Sequence, residues 1–259
     1  MFVSGISSGH AAYNLVKSNQ ERLISAFEAL PTYKREAQHY ERAIKNVASV
    51  EDLLDDRRLL TVALSAFQLE SEVNKKALIR QVITEDPTDP KSLAKRLADP
   101  RWQNFAKAFH SLAVDGGASI RTAEAVDAVL ALYRTNEFEK AMGASNEAIR
   151  EAMYFKRIAA SLTSVNQVLG DRVAAKVVRD TLGLPLAFSA LDVKQQRQML
   201  KAKRFDPGQF KDPGFLDKFV DRFLMATDRR AAAADVAPAV QLLQQVASAG
   251  SFGRVNLLA

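Results

Sequence analysis

Residues 35–69 recur without a gap at residues 150–184, an offset of 115. Eleven of the 35 aligned positions are identical, among them Arg35/Arg150, Glu36/Glu151, Ser49/Ser164, Val50/Val165, Asp56/Asp171, Arg57/Arg172 and Leu69/Leu184. Unrelated segments of ordinary composition share roughly two or three positions in such a length. An ungapped match constrains the fold strongly, because both copies must suit one local plan. The chain is therefore expected to hold two related helical units. The first covers 1–118 with an N-terminal helix. The second covers 119–259 behind a long connecting helix. The two are expected to pack as one body, since each leaves apolar surface for the other to cover.

The local plan is helical. Tyr13, Leu15, Val16, Leu23, Ile24 and Phe27 recur at helical spacing from about Ser7 to Leu30, and Pro31 stops that run. A second helix is expected over 33–47. Ser49 caps a third, with Asp52 at the capping-box position, and its stripe is Leu53, Leu54, Leu59, Leu60, Ala63, Leu64 and Phe67. Ser71 is placed as the cap of a fourth helix that ends near Asp86-Pro87. In Asp89-Pro90 and Asp99-Pro100 the aspartate suits an N-cap and the proline the first helical position, where no N–H is needed. They open a short helix and then one carrying Trp102, Phe105, Phe109 and Leu112. Asp115-Gly116-Gly117 is a loop.

Residues 121–161 contain no proline and one glycine, Gly143. This stretch is either one very long helix or two helices broken near Met142–Ser145. Ser164 caps the counterpart of the third helix, which stops at Leu182-Gly183-Leu184-Pro185. Helices follow over 192–203 and 213–225, and Asp206-Pro207 and Asp212-Pro213 echo the earlier starts. The Ala-rich tail carries a helix around 240–246 and frays from residue 248. The expected fold is all-α, with about ten helices.

Composition narrows the chemistry. A chain of 259 residues, 47% hydrophobic and 25% charged, is that of a soluble globular protein. The absence of cysteine excludes disulfides, zinc–thiolate sites, iron–sulfur clusters and a thiol nucleophile. The net charge of +6 leans towards acidic partners but is too small to mark nucleic-acid binding by itself. No apolar run approaches the roughly 20 residues that span a bilayer. The N-terminus lacks the basic-then-apolar pattern of a Sec signal peptide, so the expected location is cytoplasmic.

Chemical motifs are sparse. His10 is placed in an exposed N-terminal tail, and His39 and His110 on helix interfaces. None has a second histidine at ligand spacing, and no phosphate-cradling glycine loop occurs. No catalytic, cofactor or metal residue is assigned. Asp52, Asp55, Asp56, Arg57 and Arg58 form a charged cluster that reads as a salt-bridged helix surface. Only Asp56-Arg57 recurs, as Asp171-Arg172, which marks that pair as scaffold. Lys194, Arg197, Lys201, Lys203 and Arg204 form the densest basic run, with no acid between Asp192 and Asp206. This run is a solvated helix face or a docking surface for an acidic partner. Nucleic acid ranks low there, because exposed aromatics are not interleaved and no DNA-reading helix pair is evident. Specialised function is expected where the halves differ, which makes Asp55, Arg58, Lys194, Arg197, Lys201, Lys203 and Arg204 the partner-interface candidates.

The chain resembles a bacterial family, domain of unknown function 1217. The resemblance is carried by Tyr40, Ser49-Val50-Glu51-Asp52-Leu53, Asp56-Arg57-Arg58-Leu59-Leu60, Ala63-Leu64-Ser65-Ala66-Phe67 and Leu69-Glu70. It continues through Ile79-Arg80-Gln81-Val82-Ile83, Asp89-Pro90 and Leu182-Gly183-Leu184-Pro185, and spans roughly residues 26–225. Gln68 stands where the family usually has glycine, which questions the local helix cap. The resemblance implies an association with flagellar gene clusters, chiefly in alphaproteobacteria, and no catalytic residues. The expected function is thus a non-enzymatic helical protein of flagellum assembly or structure, with flagellar proteins as partners and no cofactor. The polar start and amphipathic run of residues 1–30 leave the flagellar export route open. One alternative is a cytosolic regulatory protein that binds nucleic acid or an acidic partner through the basic helix. Another is an enzyme whose site is assembled from Asp and Arg between the halves.

Overall fold

The computed structural model describes residues 8–97 and 99–249, with the backbone alone over 235–249. The described residues form fifteen α-helices and no strand. In chain order these are α1 (Gly9–Ser18), α2 (Gln20–Glu28), α3 (Pro31–Ala43), α4 (Val50–Asp55), α5 (Arg57–Ala66), α6 (Lys76–Thr84), α7 (Leu93–Arg96), α8 (Pro100–Phe109), α9 (Ser111–Val114), α10 (Ala123–Met142), α11 (Glu147–Ile158), α12 (Val165–Gly170), α13 (Arg172–Thr181), α14 (Val193–Ala202) and α15 (Pro213–Ala249). Eleven have seven residues or more. The excess over the expected ten comes from short pieces and from splits.

The splits have local causes. The helix expected across 49–67 is two helices, because Asp56 turns extended (φ −86°, ψ 95°) and starts a new one. Its carboxylate accepts the N–H groups of Arg58 and Leu59, both at 3.0 Å. Asp171 does the same between α12 and α13, accepting from Ala174 N–H at 2.8 Å. The recurring Asp-Arg pair is therefore a helix start. The N-terminal run divides at Asn19 into α1 and α2, and Pro31 is the first residue of α3. Ser71 caps nothing. It lies in a 3-10 turn (Glu70–Glu72), and α6 begins five residues later behind Lys75. Pro90 likewise sits in a turn, and α7 starts at Leu93. Asp99-Pro100 does open α8. Of the two options for 121–161, the chain takes the broken one: α10 stops at Met142 and Asn146 caps α11. Gly143 allows this close return, since a Cβ there would lie 2.5 Å from Cβ of Arg150. The helices expected over 213–225 and 240–246 are one continuous α15, joined by alanines of high helix propensity. The fraying expected from residue 248 falls mostly on 250–259, outside the described residues.

At the offset of 115 the hydrogen bonds correspond. Ser49 and Ser164 each form a reciprocal capping box, with Asp52 and Gln167. His39 Nε2 lies 2.7 Å from the Asp56 carboxylate, and the Tyr154 hydroxyl donates to Asp171. The ends of α5 and α13 close alike: Leu69 N–H donates to Leu64 C=O and Leu184 N–H to Arg179 C=O, both at 2.9 Å. The residue before each is left-handed, Gln68 at φ 59° and Gly183 at φ 64°. Gln68 thus keeps the cap that its side chain put in question.

Apolar side chains gather in two clusters. The first holds Tyr40, Leu53, Leu60, Leu64, Ile79, Phe105, Phe109 and Tyr133. The second holds Tyr13, Val16, Phe27, Phe138, Phe155, Val177, Phe210, Phe219 and Phe223. Helix α10 serves both: Val126, Val129 and Tyr133 enter the first, Phe138 and Met142 the second. At 3.6 residues per turn these two sets fall on about opposite sides of the helix. Tyr33 stacks on Tyr133 (5.7 Å between ring centroids) and meets Phe27 (5.0 Å), which meets Phe138 (5.8 Å), so an aromatic chain joins the clusters. Helices α1 and α2, grouped with the first unit on sequence, seat Tyr13, Val16 and Phe27 in the second cluster.

Candidate functional site

Helix α14 is built by its ends. Asp192 forms a capping box with Gln195: Gln195 N–H donates to the Asp192 carboxylate at 2.8 Å, and Asp192 N–H donates to Gln195 Oε1 at 3.3 Å. Leu200 is fully buried, and Gln196 Nε2 donates to the Phe188 carbonyl at 2.9 Å, so one face is fixed on the second cluster. The helix closes as α5 and α13 do: Phe205 N–H donates to Leu200 C=O (3.0 Å) and Arg204 N–H to Lys201 C=O (2.9 Å). Arg204 holds the left-handed position at φ 53°.

An exposed flank of the helix and the turn beyond it carry the basic run. Lys194, Arg197, Lys201, Lys203 and Arg204 are all exposed. Among the described residues, no carboxylate pairs with any of them. The flanking acids are engaged elsewhere, Asp192 in the N-cap and Asp206 with Gly208 N–H at 2.8 Å. Arg197, Lys201 and Arg204 line one groove of about 430 Å³ together with Val165 and Phe205. Lys194 and Lys203 stand outside its lining. Neither Val165 nor Phe205 was read as a site residue on sequence. Each had a signal: Val165 opens the helix after a serine cap, and Phe205 takes the apolar position after a left-handed cap.

Asp55 and Arg58 belong to the first cluster's helices and are tied internally. Lys76 Nζ reaches Asp55 at 3.5 Å. Arg58 grips Glu36 with two bonds, 3.0 and 3.2 Å, and this partner raises its pKa. The neighbouring charges also find partners outside the cluster, Arg80 on Glu51 and Arg57 on Asn74. The seven candidates thus divide into two paired residues and five without an acid.

A second concavity, about 450 Å³, lies where α1 and α2 meet α10 and α11. Lys17, Arg134, Lys156, Arg157 and Glu139 are among its lining residues. Its cations are occupied: Lys17 and Lys156 share Asp217 (2.8 and 2.6 Å), Arg134 holds Glu28 (2.8 Å) and Arg157 holds Glu139 (2.9 Å). Lys156 and Lys17 hold the Asp217 carboxyl below its usual range, while burial pushes Glu139 up against the pull of Arg157. An apolar groove of about 400 Å³ runs between Phe109, Ile120, Val129 and Leu132.

The histidines have structural partners. His110 Nδ1 contacts the Ile83 carbonyl at 2.8 Å, and His39 contacts Asp56. His10, expected in an exposed tail, sits half-buried in the first turn of α1, 3.4 Å from Asp221. Among the described residues, no three His, Asp or Glu side chains converge as metal ligands, and no helix is long and apolar enough to cross a membrane.

Comparison with curated proteins gives no match. The fold is similar to the crystal structure of protein AGR_C_984 from Agrobacterium tumefaciens, at 30% identity and a TM-score of 0.74, covering 85% of this chain and 93% of that one. Residues 66–216, from the last residue of α5 into α15, match the family described as protein of unknown function (DUF1217). With more than half of its length inside that match, the chain belongs to the DUF1217 family.

Proposed function

We propose that this chain is a non-enzymatic helical protein that works through protein–protein contacts in the assembly or structure of the bacterial flagellum. The observation that carries the contact reading is the row of five exposed cations on and just beyond α14, none with a carboxylate among the described residues. Unneutralised charge of one sign steers and orients partners of the other. The flagellar part rests on the gene-cluster association that the family resemblance implies. The same reading includes an internal duplication. It is supported by the paired capping boxes, the two Asp starts and the two left-handed stops at an offset of 115.

An in-frame deletion in a motile strain tests the function. Swimming radius and filament number should both fall and should return on complementation. Normal motility and filament number under several growth conditions would remove the flagellar reading. Immunoblots of cells and culture medium, in wild-type and export-deficient strains, separate a cytoplasmic protein from one exported by the flagellar route.

A further inference from the structure

We propose that the groove between the start of α12 and the end of α14 seats an acidic peptide segment of a partner protein. A large apolar side chain of that segment rests on Val165 and Phe205, and its carboxylates meet Arg197, Lys201 and Arg204. This deepens, and rests on, the reading that the chain works through protein contacts.

Three features of the groove point to that occupant. The first is unneutralised charge. Some cations elsewhere in the chain hold carboxylates, as Arg58 holds Glu36, Arg80 holds Glu51 and Arg157 holds Glu139, and others stand alone; here several unpaired cations gather around one groove. The groove cations hold none among the described residues, and Lys194, Arg197 and Lys201 follow one another at i, i+3 and i+7 on one helix face. Like charges at that spacing repel. The helix dipole favours Lys201 and Lys203 near the C-terminus but disfavours Lys194 in the first turn, so helix stability alone does not account for the row. An acidic ligand relieves the repulsion.

The second feature is Arg204. A left-handed C′ position belongs to glycine in most helices, and a side chain there costs free energy. The equivalent position after α13 is Gly183. Gln68 holds the same position after α5, so the backbone alone does not mark a site; Arg204 differs in lining a groove with two other cations, where its charge is placed for a ligand.

The third feature is the mixed lining. Val165 and Phe205 are half-buried and give the groove an apolar part, and about 430 Å³ accommodates one leucine or phenylalanine side chain with carboxylates beside it. A nucleic-acid strand needs a longer basic track and aromatic faces for stacking, and one phenylalanine supplies little of that.

Fluorescence anisotropy on the full chain tests the proposal with three labelled probes. One is a peptide of about twelve residues, all Asp and Glu except a central Leu-Phe pair, the second has Ser-Ser in place of that pair, and the third is a DNA strand of similar length. The Leu-Phe peptide should bind at least about tenfold tighter than the Ser-Ser peptide and tighter than the DNA, and should weaken as salt rises. The double variant R197E/K201E should lose about tenfold or more in affinity. Arg204→Gly should lose about threefold while its thermal midpoint holds or rises, because the strain is relieved. That combination separates a ligand contact from a structural role. Equal binding of the two peptides, tighter binding of DNA, wild-type affinity in these variants, or no peptide binding at low salt would each overturn the proposal. The outcome is separable from the functional reading. A motility defect without peptide binding removes the groove alone, whereas peptide binding with normal motility removes the flagellar assignment alone.

Discussion

Gln68 and Gly183 stand 115 residues apart and hold the same left-handed backbone, at φ 59° and 64°. The strain at Gln68 is a backbone matter. The carbonyl of Gln68 still accepts from Arg101 at 2.9 Å, a bond that survives any change of side chain. Gln68→Gly should therefore stabilise the protein by about 0.5–1 kcal/mol, and Gly183→Ala should cost about 1 kcal/mol. Nothing lies within 4 Å of a Cβ at Gly183, so that cost is conformational and not steric. Urea denaturation of the two variants measures both, and a stability change of the opposite sign in either would contradict the assignment. Asp56 is the second residue-scale case. Burial pushes its carboxyl up, but the Leu59 N–H, His39 and the Arg58 N–H outweigh it, and the group ends below its ordinary range. A folded value below the unfolded one stabilises the protein above pH ~4, and that contribution is lost as pH falls through the folded value. Asp56→Ala should cost about 1–2 kcal/mol at neutral pH. Asp56→Asn should keep most of the cap and flatten the loss of stability between about pH 5 and pH 3.

Helix α10 makes its chemistry at the scale of an element. It presents Tyr133 to one cluster and Phe138 to the other, and between them buried Asn136 donates to the carbonyl and hydroxyl of Ser65 on α5. Three residues on, Glu139 is buried and bonded to Arg157 of α11 through two contacts, 2.9 and 3.1 Å. Burial raises its pKa despite that partner. A raised carboxyl binds its proton more tightly in the folded chain, so its contribution becomes less favourable as pH rises from about 4.3 through the folded value. Glu139→Gln removes this dependence. The stability of the variant relative to the wild type should rise across that window, as read from urea midpoints at stepped pH, and a parallel pair of curves would refute it. Sequence placed helix across α10 under either reading of 121–161 but did not show its two faces. An apolar stripe that changes sides midway leaves no single period to find, while caps such as Ser49, Asp99 and Ser164 depend on three or four neighbouring residues and were legible. The candidate site divides in the same way. The five cations on and just beyond α14 read directly as a charge run. Val165 joins them only because the start of α12 comes beside the end of α14 at one groove, a tertiary fact that no local pattern carries.

At the scale of the whole molecule, the first described helix is held by a residue of the last one. The Asp228 carboxylate of α15 accepts from the Ser8 hydroxyl (2.7 Å), Gly9 N–H (2.7 Å) and His10 N–H (3.1 Å), and so caps α1 across about two hundred residues of sequence. Asp217 adds a second tie, gripping Lys17 of α1 and Lys156 of α11. These contacts put the N-terminal helices on the second cluster, and the first cluster meets that half through α10 and the Phe27–Tyr33–Tyr133 rings. The two clusters should consequently differ in how they sense damage at the N-terminus. Asp228→Ala leaves three donors without their charged acceptor and should cost α1 about 2 kcal/mol, which speeds exchange of its protected amides roughly 30-fold. Amides of α11 and α15 that pack on α1 should speed up to a lesser degree. Those of α5 and α6, whose side chains lie in the first cluster, should keep their wild-type rates. Hydrogen exchange read by NMR or mass spectrometry resolves the pattern. Equal acceleration in α5 and α1 would mean that the two clusters open as one unit, with α10 as a rigid coupling between them.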